Sequence, residues 1–310
     1  MKGLVFPAFG LGVQLGFPLP PLEGRGVAAC LPTLDASLVT FDPNAVATGR
    51  EELVWSTRFD GHAYSMQRLR DGSHRFVYGD GAVFHLSSDG SDLRCAVADV
   101  DEPGWQRLFL DTILWSCSLL RGFELLHASA VAWPHGAVAF ASTTGGGKTS
   151  LAAELLRRGA ELLCDDVLAL TRVDGRLGGH AGPPVMNLPL QGPREIGREL
   201  ARFPGERWIA VEHAAREPRP LEAICLLERR RGVGLAIERL DSTPLDLLPH
   251  AFAFRGASQR GAAHRFEVLS EVATEVPVYR VSAHVDVSPG ELADLVESRL
   301  GTRASAGAVA

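Results

Sequence analysis

Apolar positions recur along this chain with two periods, and the change between them divides it. Up to about residue 100, short apolar and β-branched runs alternate with turn residues. In RFVYGDGAVFHLSSDGSDLRCAVADV, residues 75–100, Gly-Asp-Gly and Asp-Gly-Ser separate what reads as successive strands of a meander. His62 and His74 lie in polar, turn-like surroundings and are expected to be exposed. At residues 102–122, EPGWQRLFLDTILWSCSLLRG, the spacing becomes helical. Trp105, Leu108, Leu110, Ile113, Leu114, Cys117 and Leu120 recur at helical intervals, with Pro103 near the start and Gly122 just past the end. We place a domain boundary at this helix: a β-rich N-terminal domain over 1–103, a second domain over 104–300, and a flexible tail over 301–310 with nothing to pack.

From residue 123 strands and helices alternate, the mark of an α/β domain. ELLHASAVAW (124–133) and GAVAFAS (136–142) read as strands, KTSLAAELLRRG (148–159) as a helix, and AELLCDDVLAL (160–170) as a further buried strand. Leu151, Leu155 and Leu156 share a face of that helix, Arg157 and Arg158 suit its last turn, and Gly159 suits its C-terminal cap. AICLLER (223–229), GLAIERL (234–240) and VPVYRVSA (276–283) supply later strands. SPGELADLVESRL (288–300) is a helix with a capping box of Ser288 and Glu291 and a proline at its first position.

Composition narrows the function classes. The chain has 310 residues, 46% hydrophobic and 22% charged, with a formal net charge of −6, and no basic block longer than Arg229-Arg230-Arg231. A broad cationic face for nucleic acid is therefore not expected. Five cysteines, Cys30, Cys95, Cys117, Cys164 and Cys225, form no C-x-x-C pair and are expected to be reduced, buried thiols. Pro7, Gly10, Gly12 and Pro18 interrupt the apolar N-terminus, so no signal peptide is expected, and no apolar run is long enough to cross a membrane. The expectation is a soluble cytoplasmic protein.

Candidate chemistry concentrates in ASTTGGGKTS, residues 141–150. Its end fits the phosphate-binding pattern G-x-x-x-x-G-K-[ST], with Ser142 where the first glycine usually stands. A polyphosphate needs several converging backbone N–H groups with no side chain in the way. Gly145, Gly146 and Gly147 offer that, and the helix starting near Lys148 adds free amides and a positive dipole end. Lys148 can reach β and γ phosphates and the Thr149 hydroxyl can ligate Mg²⁺, while Ser142, Thr143, Thr144 and Ser150 complete the loop. A small residue in place of the first glycine is tolerable, at about 1 kcal/mol if the backbone is strained. Asp165 and Asp166 end an apolar strand one βα unit later, which should return beside the loop's strand with its carboxyl end facing the phosphates. One acid can then serve a metal and the other the attacking group. His127, between apolar residues on the preceding strand, and Ser129, two residues on, should share a face.

Residues 125–170 resemble the catalytic core of the HPr serine kinase/phosphorylase family: a histidine-bearing strand, a glycine-rich loop ending in Gly-Lys-Ser/Thr, a helix ending in Arg-Gly, and an Asp-Asp pair at matching spacing. Thr144 falls at the family's loop serine. The resemblance implies a phosphoenolpyruvate-carboxykinase-like P-loop kinase core behind the β-rich N-terminal domain, using ATP and Mg²⁺. It makes Asp165 the catalytic base, Asp166 and Thr149 the Mg²⁺ ligands, and Lys148 with the backbone of 145–149 the phosphate cradle, with His127 near the transferring phosphate. The family's Glu-Ile-Arg-Gly signature is not present after residue 170, where Glu195-Ile196-Gly197 is a partial echo in AGPPVMNLPLQGPREIG. The organisation is closer to the shorter HPr-kinase-like proteins of bacterial biosynthetic clusters, including those that phosphorylate the C-terminal serine of lasso-peptide precursors.

The expected partner is thus a peptide or protein with a serine hydroxyl, with no nucleic acid and no membrane; homo-oligomerisation stays open. Two alternatives also stay open: a kinase of a small-molecule alcohol or free amino acid, and a non-catalytic nucleotide-sensing module. Arg229, Arg230, Arg231, Arg255 and Arg260 are the candidates for an assisting cation, with nothing in the sequence to choose among them.

Overall fold

The computed structural model describes residues 5–22, 31–40, 52–59, 62–79, 81–143, 145–253 and 259–300. Cys30, Thr144, Arg255 and the tail 301–310 lie outside them, as do the side chains of His62 and Arg260. The chain is a mixed α/β protein in two compact units: one up to Phe123 together with Ala253, the other Glu124–Phe252 with the chain from Gln259. The division expected at 103/104 stands one helical segment earlier than this one.

In the first unit, β1 (Val5–Ala8), β2 (Leu11–Leu15), β3 (Thr33–Val39), β4 (Glu52–Phe59), β5 (His62–Arg68), β6 (His74–Tyr78), β7 (Ala82–Leu86) and β8 (Asp92–Val97) form one sheet in the order β1-β2-β3-β8-β7-β6-β5-β4. The meander expected over 75–100 is β6 to β8, and the antiparallel pairing continues through β5 to β4, whereas β3 lies parallel to both β2 and β8. His74 is half-buried rather than exposed, because strand pairing on both edges of β6 removes it from water.

The segment expected as one helix is α1 (Pro103–Leu108) and α2 (Leu114–Leu120) joined through a π-helical turn at Phe109–Ile113. A π turn holds more residues than an α turn and shifts the buried stripe. Trp105, Phe109, Leu110, Ile113, Leu114 and Cys117 are buried, while Leu108 and Leu120 are only partly so. Phe17 and Phe84 pack on Trp105 and Phe109, which ties this segment to the first unit.

The second unit is built around a hairpin of β10 (Ala128–Trp133) and β11 (Gly136–Ala141), buried along its whole length. Two-sided burial explains its apolar run, since a strand covered on both faces needs no polar alternation. Val131, Trp133, Val138 and Phe140 face a cluster with α3 (Lys148–Arg157) and α6 (Pro289–Leu300). Ala128, Ala130, Ala132, Ala137, Ala139 and Ala141 face the opposite cluster with Leu269 and Val272 of α5 (Gln259–Glu275). That 17-residue helix is not among the elements expected from the sequence.

β11 also pairs in parallel with β18 (Arg219–Arg229), and β18 in parallel with β20 (Val278–Ala283). On the other side β10 pairs antiparallel with β12 (Glu161–Cys164). Both sequence runs read as single long strands are broken at their polar residues. His127 sits at a bend between β9 (Leu125–Leu126) and β10, and Asp165-Asp166 separate β12 from β13 (Leu168–Val173). β15 (Val185–Pro189), β16 (Gly197–Phe203) and β17 (Glu206–Val211) form a small separate sheet.

Arg158 fastens α6 to α3, donating to Glu154, Asp294, Glu297 and the Gly290 carbonyl. The capping box of α6 forms as expected, with Ser288 and Glu291 exchanging bonds. Cys95, Cys117, Cys164 and Cys225 are buried free thiols, and burial pushes the Cys225 thiol up to about 12. No described helix is long and apolar enough to cross a membrane.

Candidate active site

Three strand ends meet at one edge of the central sheet. β10 runs antiparallel to both β11 and β12, so Ala128 lies opposite Ala141 at the end of β11, and Ala130 opposite Cys164 at the end of β12. His127 and Ser129, the loop after Ala141, and the pair after Cys164 are therefore brought together by topology alone. The acid-bearing strand does not return directly beside the loop's strand. β10 occupies that place, and the crossover through α3 skips over it.

The loop from Ser142 to Gly147 needs its glycines where they stand. Gly145 and Gly147 have φ of 80° and 91°, in the left-handed region. A Cβ on Gly146 would collide with the Ser142 side chain. Ser142 itself is buried, has no positive φ, and donates its hydroxyl to the Thr143 carbonyl at 3.0 Å. A serine therefore replaces the usual first glycine without backbone strain. Gly147 caps α3, so the amides at the start of that helix open onto the loop.

Asp165 is gripped from three sides. Its Oδ1 accepts from Ser129 Oγ at 2.7 Å and Thr149 Oγ1 at 3.0 Å, and its Oδ2 from the Asn187 backbone N–H at 3.2 Å. Ser129, fully buried in an otherwise apolar strand, also accepts the Asp166 N–H at 3.3 Å. Asp166 adopts φ 59°, and the Val167 N–H closes a tight turn onto the Asp165 carbonyl at 2.7 Å. The turn sends the two carboxylates to different partners: Asp166 Oδ1 lies 3.7 Å from Lys148 Nζ and 3.8 Å from His127 Nε2.

Electrostatics separates the two acids further. Asp165 keeps a small opening but is otherwise enclosed by protein. That desolvation, with the Asp166 charge beside it, pushes its carboxyl up to about 7 against the opposing pull of its three donors. Burial, then the Lys148 ammonium, hold His127 below the usual imidazole value, with Asp166 opposing. A neutral His127 can accept from Lys148, whose Nζ lies 3.2 Å from Nε2. Lys148 is only 5% exposed, so its charge stands almost without water.

Some neighbours carried no sequence signal. The His250 carbonyl accepts the His127 N–H at 2.6 Å, and burial, then the charges of His127 and Lys148, hold its imidazole below the usual value. Phe252 sets its ring edge-on to His127, centroids 5.6 Å apart. Both belong to a segment that pairs with β9, and no local pattern in the sequence announces it. The buried Asn187 Oδ1 has no hydrogen-bond partner among the described residues. Among the described residues, Glu195 is exposed and bonds locally to the Arg194 N–H, while Ile196 is buried in the core, so this partial echo makes no bond to the acid pair.

Among the described residues no group of three or more His, Cys, Asp or Glu is arranged to hold a metal by itself. The Asp166 carboxylate makes only long contacts among the described residues, to Lys148 and His127, and the Thr149 hydroxyl is turned onto Asp165. So sparse a donor set fits an ion that takes few protein ligands and completes its shell with phosphates and water, as Mg²⁺ does.

No family model matches the chain, and no curated protein matches it. Among solved structures it is similar to the HPr(Ser) kinase/phosphatase from Coxiella burnetii, with 14% identity over 56% of this chain and 89% of that one and a TM-score of 0.32. At that distance the chemistry has to be taken from the side chains themselves.

Proposed function

We propose that the protein is an ATP-dependent kinase that moves the γ-phosphoryl group to a serine-type hydroxyl of a peptide or protein, a ribosomally made precursor such as a lasso peptide being one candidate. The supporting observation is the convergence at one sheet edge of Lys148, the glycine loop with the α3 amides, and a desolvated Asp165 set apart from the more open Asp166. In this reading the amides of 145–149 and Lys148 hold the β and γ phosphates. Asp166 and Thr149 would hold Mg²⁺, which would supply positive charge to offset that of the phosphates. Asp165 takes the acceptor's proton as the new O–P bond forms and the β–γ bridge breaks to leave ADP; a carboxyl near 7 suits that task at neutral pH. Ser129 and the Asn187 N–H keep the Asp165 carboxylate oriented.

The test is intact-mass analysis with Mg·ATP and peptides carrying internal or C-terminal serine, paired with calorimetry of Mg·ATP binding. The expected result is a gain of one phosphate on a hydroxyl, lost in Asp165→Asn while nucleotide binding survives. A wild-type chain that binds no Mg·ATP overturns the reading. Transfer only to small alcohols moves the acceptor class to the small-molecule alternative.

A further inference from the structure

Of the candidate arginines, Arg229, Arg230 and Arg231 lie among the described residues with their side chains, and they are not equivalent in space. Arg230 is 64% exposed and paired with Glu228 at 3.0 Å, and Arg231 is exposed. Arg229 is the last residue of β18, the strand that lies parallel to β11 on the flank away from β10. In that pairing Ala141, the end of β11, stands beside Leu226, so β18 runs three residues past it, to the level of the glycine loop. Arg229 Nη1 lies 3.7 Å from where a Gly147 Cβ would sit.

The same guanidinium is oriented without being neutralised. Its Nη2 donates to the carbonyls of Val285 at 2.7 Å and Val287 at 2.6 Å, in the loop before α6, and no carboxylate pairs with it among the described residues. Two neutral carbonyls fix the plane of the fork and leave Nη1 and the full positive charge for an anion. Lys148 meanwhile leans toward His127 and Asp166, on the β10 side. The loop is thus bracketed by a cation from each flank of β11.

We infer that Arg229 is a phosphate-contacting residue of this site, gripping the terminal phosphates of the nucleotide from the β18 flank opposite Lys148. This rests on the kinase reading above and adds to it the choice of cation. The test is calorimetry of wild type, Arg229→Gln, Arg229→Lys and the neighbouring Arg230→Gln with Mg·ATP, Mg·ADP and inorganic pyrophosphate, alongside the melting temperature of each free protein. Losing a charge-assisted bond predicts about 10- to 100-fold weaker binding of all three probes by Arg229→Gln. Arg229→Lys should lose less, and Arg230→Gln nothing measurable. Equal affinities for wild type and Arg229→Gln overturn the inference while leaving the kinase reading intact. If Arg229→Gln melts early through loss of the two carbonyl bonds, Arg229→Lys decides: a folded Lys variant as weak as Gln overturns the role of the charge, and one of intermediate affinity supports it. A wild type that binds none of the probes overturns both readings.

Discussion

Each unit of this chain gathers aspartate, serine and histidine side chains into a small space, and water treats the two gatherings differently. In the first unit Asp71 accepts from the Ser73 N–H at 2.9 Å and its hydroxyl at 2.6 Å, and Ser73 Oγ lies 3.2 Å from His85 Nε2. Asp71 is fully exposed, and these Ser73 bonds hold its carboxyl below the usual value. In the second unit Asp165 has three donors, yet its carboxyl is raised to about 7. The number of hydrogen bonds does not separate an exposed turn from the proposed catalytic site here. Desolvation and a second acid alongside do.

The sharpest way to break that contrast is Asp165→Asn. With Asp165 as base, the variant should lose about 10²- to 10⁴-fold in phosphoryl transfer while keeping Mg·ATP affinity, measured by mass analysis and calorimetry. A carboxyl held near 7 in the folded chain and near 4 in the unfolded one binds its proton more tightly when folded. Its contribution to stability is therefore greatest below about pH 4 and falls away as pH rises through about 7, a change of about 2–4 kcal/mol. Urea unfolding from pH 4 to 8 should show that decline in wild type and a flatter profile in Asp165→Asn. The same group predicts that wild-type transfer rises as pH climbs through about 7, because only the ionised carboxylate accepts a proton.

Ser129→Ala comes next. It removes one donor to Asp165 and one acceptor of the Asp166 N–H from a fully buried position, so both acids lose an anchor. The expected cost is about 1–3 kcal/mol in urea unfolding. A roughly tenfold fall in kcat is expected with KM for Mg·ATP unchanged, since one misdirected hydrogen bond at the base costs about 1.4 kcal/mol at the transition state. A variant with wild-type kcat would mean that Thr149 and the Asn187 N–H suffice to hold the base.

Much of the second unit is legible because its signals are local. The helix caps, the glycines before Lys148 and the apolar runs of β10 and β11 each follow from neighbouring residues. What stays hidden is non-local. Nothing near Asp165 says that β10 intervenes between its strand and β11, because strand order is decided by pairing across the whole sheet. His250 and Phe252 reach His127 through pairing with β9, and Arg229 is set apart from Arg230 by closing β18, which only the strand's pairing fixes. The sequence of α5 signals a helix only weakly, because its start carries Gly261 and its burying residues Leu269 and Val272 come later.

The smallest expected effect belongs to Asp71→Asn, and it tests the contrast from the other end. Asn keeps an acceptor for the Ser73 N–H and so preserves the turn before β6, while removing the charge that faces His85. An exposed carboxylate of this kind is screened by water and salt, so little free energy is tied to its ionisation. Transfer kinetics should match wild type across the pH range, and the melting temperature should be unchanged within error. A fall in kcat comparable to that of Asp165→Asn would show that exposure does not exclude a group from the chemistry, and the distinction between the two aspartates would have to be rebuilt on something other than desolvation.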